Sequence, residues 1–309
     1  MTTFAPDRPL KLGTRRSPLA MAQAEEAQRR LVAAHPGLVV EIVPVTASGD
    51  KIQDRPLAEI GGKALWTKEL DAWLHAGEID FAVHSAKDVE TLRPDWIAIA
   101  AVLPREDVRD VLLGADSIAA LPPGARIGTS APRRAAQALH LRPDCTVVSF
   151  RGNVATRLGK LAAGEADATL LAAAGLNRLG KAELGVRLDP AEWLPAPGQG
   201  AIAIECRADD EAMRGLLASI DHAPSRAALM AERALLAALG GNCHSPIAVL
   251  TSHGEDTLTM RSAIFTLDGS ERAEATHKFA LDDSSGPVIL ARQLLAQASP
   301  AIREHFEGE

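Results

Sequence analysis

The chain has 309 residues, 47% of them hydrophobic, so it is long enough for two or three globular domains and too apolar to be disordered. It has 33 Lys and Arg residues against 40 Asp and Glu residues, and a formal net charge of −7 argues against nucleic-acid binding driven by bulk charge. Tyrosine is absent and aromatic residues make up 3% of the chain, which leaves few side chains to stack on bases.

Neither a targeting segment nor a membrane span is expected, and the cysteines favour the cytoplasm. The opening stretch MTTFAPDRPLKLG lacks the pattern of a signal peptide, and no apolar run approaches ~18 residues. The three cysteines, Cys145, Cys206 and Cys243, are far apart, which fits a reducing compartment without disulfides. No C-x-x-C or H-E-x-x-H motif occurs, so we expect no metal site.

Strand-like and helix-like segments alternate through the first 220 residues, which predicts α/β units with mainly parallel sheets. The first group contains the strand Leu10–Gly13, the helix Pro18–Ala34, the strand Leu38–Val45, the helix Lys63–Ala76 and the strand Phe81–His84. The second group contains the strand Arg126–Gly128, the helix Pro132–Leu141, the strand Thr146–Ser149, the helix Val154–Ala163 and the strand Ala168–Ala172.

Two breaker-rich segments predict crossovers between two lobes, at Arg105–Asp110 and at Pro195–Gly200. A strand over Ala201–Cys206 would return to the first lobe. The last part does not alternate strand and helix. It predicts a helix over Ala227–Ala238, then three successive strands over Ile247–Thr251, Thr257–Thr266 and Glu271–Ala280, and a final helix over Pro287–Ala298. Asp268-Gly269 is a hairpin turn signal between the last two strands. We therefore expect a first lobe over residues 1–103 and 201–219, a second lobe over 104–200, and a small α+β domain over 221–309.

Two segments that leave a strand at Gly-Thr resemble each other, Gly13-Thr-Arg-Arg-Ser-Pro18 and Gly128-Thr-Ser-Ala-Pro-Arg-Arg134. Each opens a helix with a proline; Ser17 is a natural N-cap, and Ser130 or Ala131 would sit at the N-cap position of the second helix. Backbone N–H groups at a helix N-terminus and a nearby arginine make an anion site. Two ordinary capped helices with solvated arginines are the alternative, but two copies favour a ligand bound between lobes.

Arginines recur near the predicted strand ends and helix starts, at Arg15, Arg16, Arg133, Arg134, Arg151, Arg157 and Arg178. Ligands of open α/β sheets bind at the carboxyl ends of the strands, and arginine binds carboxylates bidentately. Any one of these arginines could be a surface ion pair, but together they suit a ligand with several carboxylates or phosphates. No phosphate-binding loop motif is present.

Two further places could carry chemistry. Ser85, Lys87 and Asp88 follow the strand at residue 81, where an acid can move protons or stabilise a cation, or can merely cap a helix. Cys243 follows a helix C-terminus, where the dipole disfavours a thiolate, and adjacent His244 would point away from it on an extended chain. A buried structural cysteine is the alternative, but the polar neighbours and the Gly240-Gly241 approach favour covalent attachment of a group that is kept.

The motifs together resemble the porphobilinogen deaminase family, in order over nearly the whole chain. They are Thr14-Arg-Arg-Ser-Pro-Leu-Ala20, Gly61-Gly-Lys63, Ala82-Val-His-Ser-Ala-Lys-Asp-Val89, Gly128-Thr-Ser130 with Arg133-Arg134, Arg151-Gly-Asn-Val-Ala-Thr-Arg157, Ala174-Gly-Leu-Asn-Arg-Leu-Gly180, Pro197-Gly-Gln-Gly200 and Asn242-Cys243. The resemblance implies an α/β fold with two lobes similar to periplasmic binding proteins and a small α+β C-terminal domain.

The resemblance also implies the activity: four porphobilinogen molecules are joined head to tail, with loss of ammonia, into hydroxymethylbilane. A dipyrromethane cofactor, held by a thioether at Cys243, would prime the chain and stay behind when the product is hydrolysed off. No nucleic-acid or membrane partner is implied, and we expect a monomer.

The resemblance further assigns roles. Asp88 would hydrogen-bond the pyrrole N–H, stabilise the cationic azafulvene left by ammonia and help move protons. Lys63 would belong to a mobile lid. The remaining residues would bind the carboxylates of cofactor and substrate: Arg15, Ser17, Ser85, Lys87, Thr129, Ser130, Arg133, Arg134, Arg151, Arg157, Arg178 and Gln199.

The chain departs from the family pattern at a few positions. Asn242 replaces a glycine before the cysteine, and asparagine tolerates left-handed geometry, so attachment should survive. Ala131-Pro132 replaces Ser-Leu, which removes a hydroxyl near the cofactor. Glu59, Ala64 and Trp66 also differ from the family pattern, in the expected lid.

The main alternative function is a two-lobed module that binds a polyanion without catalysis, but it would give Asp88 and Cys243 no joint purpose. A nucleic-acid binder is disfavoured.

Overall fold

A computed structural model of the chain describes residues 8–46, 67–242 and 244–306. These residues form two compact units. The first contains residues 8–46, 67–106 and 200–226, and we call it the first lobe. The second contains residues 107–199, which we call the second lobe, and residues 227–306, which we call the C-terminal domain.

The first lobe is built on a five-stranded mixed sheet in the order β2-β1-β3-β10-β4. Its strands are β1 (Leu10–Arg15), β2 (Val40–Val45), β3 (Phe81–Ser85), β4 (Ile97–Val102) and β10 (Ile202–Arg207). The first three are parallel, and β10 runs antiparallel between β3 and β4. Helices α1 (Pro18–Ala34), α2 (Lys68–His75) and α6 (Glu211–Leu217) belong to this lobe.

The second lobe repeats this pattern in a sheet of order β7-β6-β8-β5-β9. Its strands are β5 (Asp110–Leu113), β6 (Arg126–Gly128), β7 (Thr146–Val148), β8 (Ala168–Ala172) and β9 (Val186–Arg187). Strands β6, β7 and β8 are parallel, and β5 is antiparallel to both of its neighbours. The helices are α3 (Pro132–Leu141), α4 (Val154–Ala162) and α5 (Ala173–Arg178).

The C-terminal domain is an antiparallel three-stranded sheet with helices on it. Strands β11 (Ile247–His253), β12 (Thr257–Phe265) and β13 (Arg272–Ala280) pair in sequence order. Helices α7 (Ala223–Ala238), α8 (Gly286–Gln297) and α9 (Pro300–Arg303) complete it, and Leu235, Leu290 and Leu294 are fully buried in its core.

The predicted fold class is confirmed: two α/β lobes and a small α+β domain. Four predicted elements have the expected bounds: Pro18–Ala34, Arg126–Gly128, Pro132–Leu141 and Ala168–Ala172. In α1 the start is set by neighbouring residues, because Ser17 Oγ accepts from Ala20 N and Pro18 begins the helix. The predicted domain boundaries stay a prediction.

The structure adds detail to two expectations. In each lobe sheet four of the five strands run in the same direction, and one strand, β10 or β5, is antiparallel to both of its neighbours. The N-cap of α3 is Ala131, one of the two residues expected there; its methyl group makes no cap bond, and Thr129 Oγ1 accepts from Ala131 N at 3.1 Å. Within the part of the chain that the structure describes, no helix is long and apolar enough to cross a membrane.

Candidate functional site

The first lobe has an open pocket at the carboxyl ends of β1 and β3. Its lining includes Arg15 at the end of β1, Ser17 from the β1–α1 turn, Gln23 from α1, Ser85 at the end of β3 and Asp88 from the turn that follows. The sequence predicted four of these five residues, and the parallel pairing of β1 with β3 explains why they meet. Parallel strands place their carboxyl ends on one edge of the sheet.

Asp88 presents a usable carboxylate to this pocket. It ends a short 3-10 turn, Ala86–Asp88, whose N-cap is Ser85, so Asp88 does not cap this turn. Its side chain is 37% exposed, and its Oδ2 lies 3.8 Å from Nη1 of Arg15. A carboxylate at this distance from a guanidinium can still accept a hydrogen bond from a ligand.

Hydrogen bonds of Gln23 and Thr14 connect the elements that carry the side chains of the pocket. Gln23 is buried, and its amide Nε2 donates to Ser85 Oγ at 2.8 Å. Thr14 Oγ1, fully buried behind Arg15, donates to the carbonyl oxygens of Ala20 and Val83. These bonds join β1, α1 and β3, so the predicted Arg15, Ser17 and Ser85 project from a fixed frame.

A buried ionic cluster that sequence reasoning missed lies beside β3. Arg93 donates to carboxylates of Asp71, Glu90 and Glu205 at 2.6–3.1 Å, and Glu205 is fully buried on β10. His84 Nε2 lies 3.4 Å from Glu205 Oε2, without hydrogen-bond geometry. Burial, and secondarily the charge of Arg93, lowers the pKa of His84 to about 4, so this pocket-lining imidazole is neutral at pH 7.

The second lobe gathers several of the predicted residues around Asp110. Arg133 Nη2 and Arg134 Nη2 each donate to one Asp110 oxygen at 2.7 Å, and Gln199 Nε2 donates to Oδ1 at 2.9 Å. Trp193 Nε1 donates to Oδ2 at 2.8 Å. Burial opposes ionisation of Asp110, but the two guanidinium charges outweigh it and hold its pKa far below the ordinary value.

The pairing with Asp110 gives Arg133, Arg134 and Gln199 a structural role that the sequence did not predict. Both arginines are only 5% exposed, and each also donates to a backbone carbonyl, Leu194 O or Leu170 O. Two guanidinium groups share one carboxylate, so the three groups keep one net positive charge. Arg134 Nε is buried and has no hydrogen-bond partner among the described residues. The predicted ligand role of these three residues stays a prediction.

The other predicted residues of the second lobe follow its parallel strands. Thr129 and Ser130 follow β6, Arg151 comes soon after β7, and Arg178 ends the helix that follows β8. Thr129 and Arg151 are buried, whereas Ser130 and Arg178 are half-buried. Arg157 is half-buried on α4, and its Nε donates to Gly152 O at 3.1 Å. Because β6, β7 and β8 are parallel neighbours, these side chains start from one edge of the sheet.

Cys243 and Lys63 lie outside the described residues, as do Glu59, Ala64 and Trp66. Hydrogen bonds join the residues on either side of position 243: Ser245 N donates to Asn242 O at 3.0 Å, and His244 N donates to Asn242 Oδ1 at 2.8 Å. Lys87 is half-buried beside Asp88 in the chain. The other two cysteines, Cys145 and Cys206, are buried in apolar cores, where burial raises their thiol pKa values.

Comparison with known proteins gives matches over nearly the whole length of the chain. Residues 10–215 match the family model "Porphobilinogen deaminase, dipyromethane cofactor binding domain", and residues 227–296 match "Porphobilinogen deaminase, C-terminal domain". The porphobilinogen deaminase of Sphingopyxis alaskensis is 57% identical and covers 97% of this chain and 98% of its own. That of Nitrobacter winogradskyi is 50% identical and covers 95% and 92%.

Similarity to solved structures is lower. A TRAP periplasmic solute binding protein from Desulfovibrio salexigens has a TM-score of 0.43 and 12% identity, over 73% of this chain and 75% of that chain. A likeness of this size carries no argument about function.

Proposed function

Because the chain belongs to the porphobilinogen deaminase family, we propose roles for its residues in that family's reaction. The protein is a transferase of tetrapyrrole biosynthesis that joins four porphobilinogen molecules head to tail into hydroxymethylbilane, releasing ammonia, on a dipyrromethane primer. The family matches over both parts of the chain carry this conclusion. They leave no support for the alternative of a polyanion-binding module without catalysis.

The primer is attached through a thioether to the Sγ of Cys243. Two observations support this choice: Cys145 and Cys206 are buried in apolar cores, and the residues on either side of Cys243 in the chain, Asn242 and His244, are polar. When bound, the primer supplies the pyrrole carbon to which the first substrate unit is joined.

The residues of the second lobe fit a group that carries several carboxylates. Arg133, Arg134 and Asp110 together are cationic, and Arg134 Nε is a buried donor without a described partner. Thr129, Ser130, Arg151, Arg157, Arg178 and Gln199 would extend this site along the same edge of the sheet. Their work is to neutralise acetate and propionate side chains and to hold the pyrroles in register.

The pocket of the first lobe is the place of the chemical step. Arg15, Ser17, Ser85 and Lys87 would bind substrate carboxylates, and Asp88 Oδ2 would face the reacting pyrrole. The Asp88 carboxylate accepts a hydrogen bond from the pyrrole N–H and so stabilises the cation that porphobilinogen becomes when ammonia leaves. In sequence, Asp88 would first hand its proton to the leaving amine, then stabilise the cation as the carboxylate so formed, and finally take up the proton that the reacting pyrrole carbon loses when the new bond has formed.

Four further assignments complete the proposal. Lys63 belongs to a lid over the pocket, the protein acts in the cytoplasm, and it is a monomer. The cytoplasmic location is supported by the cysteines, which are few and far apart in the sequence, as is usual in a reducing compartment. The three-domain division, with boundaries near residues 103, 200 and 220, is supported by the three separate sheets.

Intact-protein mass spectrometry tests the attachment. The purified protein should exceed its sequence mass by two linked pyrrole units, and peptide mapping should place them on Cys243. A Cys243→Ser variant should show the bare sequence mass, whereas Cys145→Ser should be loaded like the wild type. Active enzyme with no added mass, or with the mass on Cys145 or Cys206, would refute the assignment.

A further inference from the structure

The segment Trp193–Gln199, which we call the strap, is almost wholly built into the second unit by polar contacts. Trp193, Leu194 and Gln199 are at most 2% exposed. A backbone segment without regular structure can be buried only when its polar groups are paired inside the protein. The partners of the strap therefore define which parts of the molecule it holds together.

At one end, the strap holds the arginine cluster of the second lobe. Trp193 Nε1 and Gln199 Nε2 donate to the two oxygens of Asp110, which also accept from Arg133 and Arg134. The carbonyl oxygen of Leu194 accepts from Arg133 Nη1 at 2.7 Å. Each oxygen of Asp110 thus has one donor from the strap and one from α3, so the strap and the arginine pair share a single acceptor group.

At the other end, the strap is bound to the two elements that flank position 243 in the chain. The amide of Gly198 donates to Glu232 Oε2 on α7 at 2.7 Å, and Glu232 is fully buried. The amide of Val249 on β11 donates to Pro195 O at 2.9 Å. Helix α7 ends at Ala238 and β11 begins at Ile247, on either side of Cys243.

The strap is therefore a continuous polar connection between the arginine pair and the frame of the attachment cysteine. The contact of α3 with the β12–β13 hairpin adds a second tie in the same unit, since His140 Nδ1 lies 2.9 Å from Gly269 O. A primer fixed at Cys243 can place its carboxylates on Arg133 and Arg134 only when the distance between the two sites is kept.

We propose that Asp110 and Glu232 are positioning residues which, through the strap, keep the arginine pair in register with the attachment site at Cys243 and so control loading of the cofactor. This inference rests on the proposed function, because it requires attachment at Cys243. Neither residue touches the reacting atoms; both act through the backbone of residues 193–199.

A double-mutant cycle on cofactor loading tests the connection. Purified apo protein is given porphobilinogen, and the gain of two pyrrole units is followed by intact mass over time and corrected for the folded fraction. We expect Asp110→Asn and Glu232→Gln each to slow loading about tenfold or more, since each weakens a buried charged hydrogen bond. The double variant should be within about threefold of the slower single variant, whereas independent effects would multiply to about a hundredfold.

A matched cycle serves as the control. Asp144 forms a surface ion pair with Arg142 in the same lobe and makes no described contact with the strap, so Asp144→Asn should leave loading unchanged and combine additively with Glu232→Gln. If Asp110→Asn does not fold, Trp193→Phe replaces it in the cycle. This change removes the indole N–H, one neutral donor to Asp110, and keeps an aromatic ring at the position.

The outcomes separate the two proposals. Additive effects of Asp110 and Glu232 within threefold, or lower thermal stability with unchanged loading per folded molecule, would overturn the role of the strap alone. A wild type that never gains mass on Cys243 would overturn the attachment and this inference with it.

Discussion

At the scale of single residues, the site depends on charges held at fixed places. Asp88 has a half-exposed carboxylate next to Arg15, whereas Asp110 is enclosed by four donors and has no face left for a ligand. Asp88, which follows β3, and Asp110, which begins β5, therefore have different roles. Exposure and hydrogen-bond saturation decide which one can take part in chemistry.

Replacing Asp88 by Asn should lower the rate of ammonia release without loss of stability. The amide keeps the shape and an oxygen acceptor but loses the negative charge and the exchangeable proton. We expect single-turnover ammonia release to fall about 10²–10³-fold. The control is Asp95→Asn, which makes the same change at an exposed position of the same lobe. Folded, cofactor-loaded Asp88→Asn protein with near-normal release would show that Asp88 is not the catalytic acid.

The buried His84 should make the stability of the protein depend on pH. Its pKa is lowered to about 4 in the folded state, whereas in the unfolded chain it is near the ordinary value of 6.5. The unfolded state therefore binds the proton first, and stability is lost as the pH falls from 6.5 towards 4. Between pH 7 and pH 5 the contribution of His84 should be about 2 kcal/mol.

Urea unfolding at the two pH values measures this contribution. The loss of stability between pH 7 and pH 5 should be smaller by that amount in a His84→Leu variant than in the wild type. His253→Gln, at an exposed position, should behave like the wild type. An equal loss in all three proteins would mean that His84 titrates normally.

At the scale of elements, the hairpin of the C-terminal domain is seated on helix α3. Gly269 at the hairpin turn has φ of 70°, and a side chain there would meet the backbone of Ala136 and His140. Phe265, at the end of β12, packs edge-on against His140 and shares an apolar cluster with Ala136, Leu194, Ala248 and Ala263. The close approach of a hairpin to a helix explains the glycine.

Gly269→Ala should destabilise the protein more than another glycine replacement at the same backbone angle. Gly164 has φ of 72°, and a Cβ added there would meet nothing within 4 Å, so Gly164→Ala incurs only the left-handed strain of about 1–2 kcal/mol. Gly269→Ala has the same strain and, in addition, displaces the hairpin from α3. Thermal melting of both variants checks this, and equal shifts would contradict the packing role.

At the scale of the whole molecule, the chain passes between its two compact units at residues 106–107, 199–200 and 226–227. The first lobe receives β10 after the chain has returned from the second unit, whereas all five strands of the second lobe lie within residues 107–199. The second unit contains both the arginine cluster and the elements around Cys243. A ligand fixed within that unit should therefore stabilise a large part of the molecule at once.

Loading of the cofactor should raise the melting temperature. A group bound covalently to the folded state, with its carboxylates paired to arginines, stabilises that state relative to the unfolded chain. We expect apo wild-type protein to gain several degrees after incubation with porphobilinogen, since about 1 kcal/mol shifts Tm by roughly 2–4 °C at this size. Cys243→Ser, treated in the same way, should gain less. Equal gains in both proteins would indicate that noncovalent binding alone stabilises the fold.

The sequence by itself determined the α/β class, the bounds of helices such as Pro18–Ala34 and the residues at the strand ends, because caps, prolines and hydrophobic periodicity act over a few residues. It could not show that Arg133 and Arg134 share Asp110, or that His84 lies beside Glu205 and Arg93. Those partners come from β5 and β10, which pair with strands that are distant in the chain: β5 with β8 and β9, and β10 with β3 and β4. Which charge is buried against which depends on that long-range pairing, and burial then decides the protonation state, so only the tertiary structure could settle it.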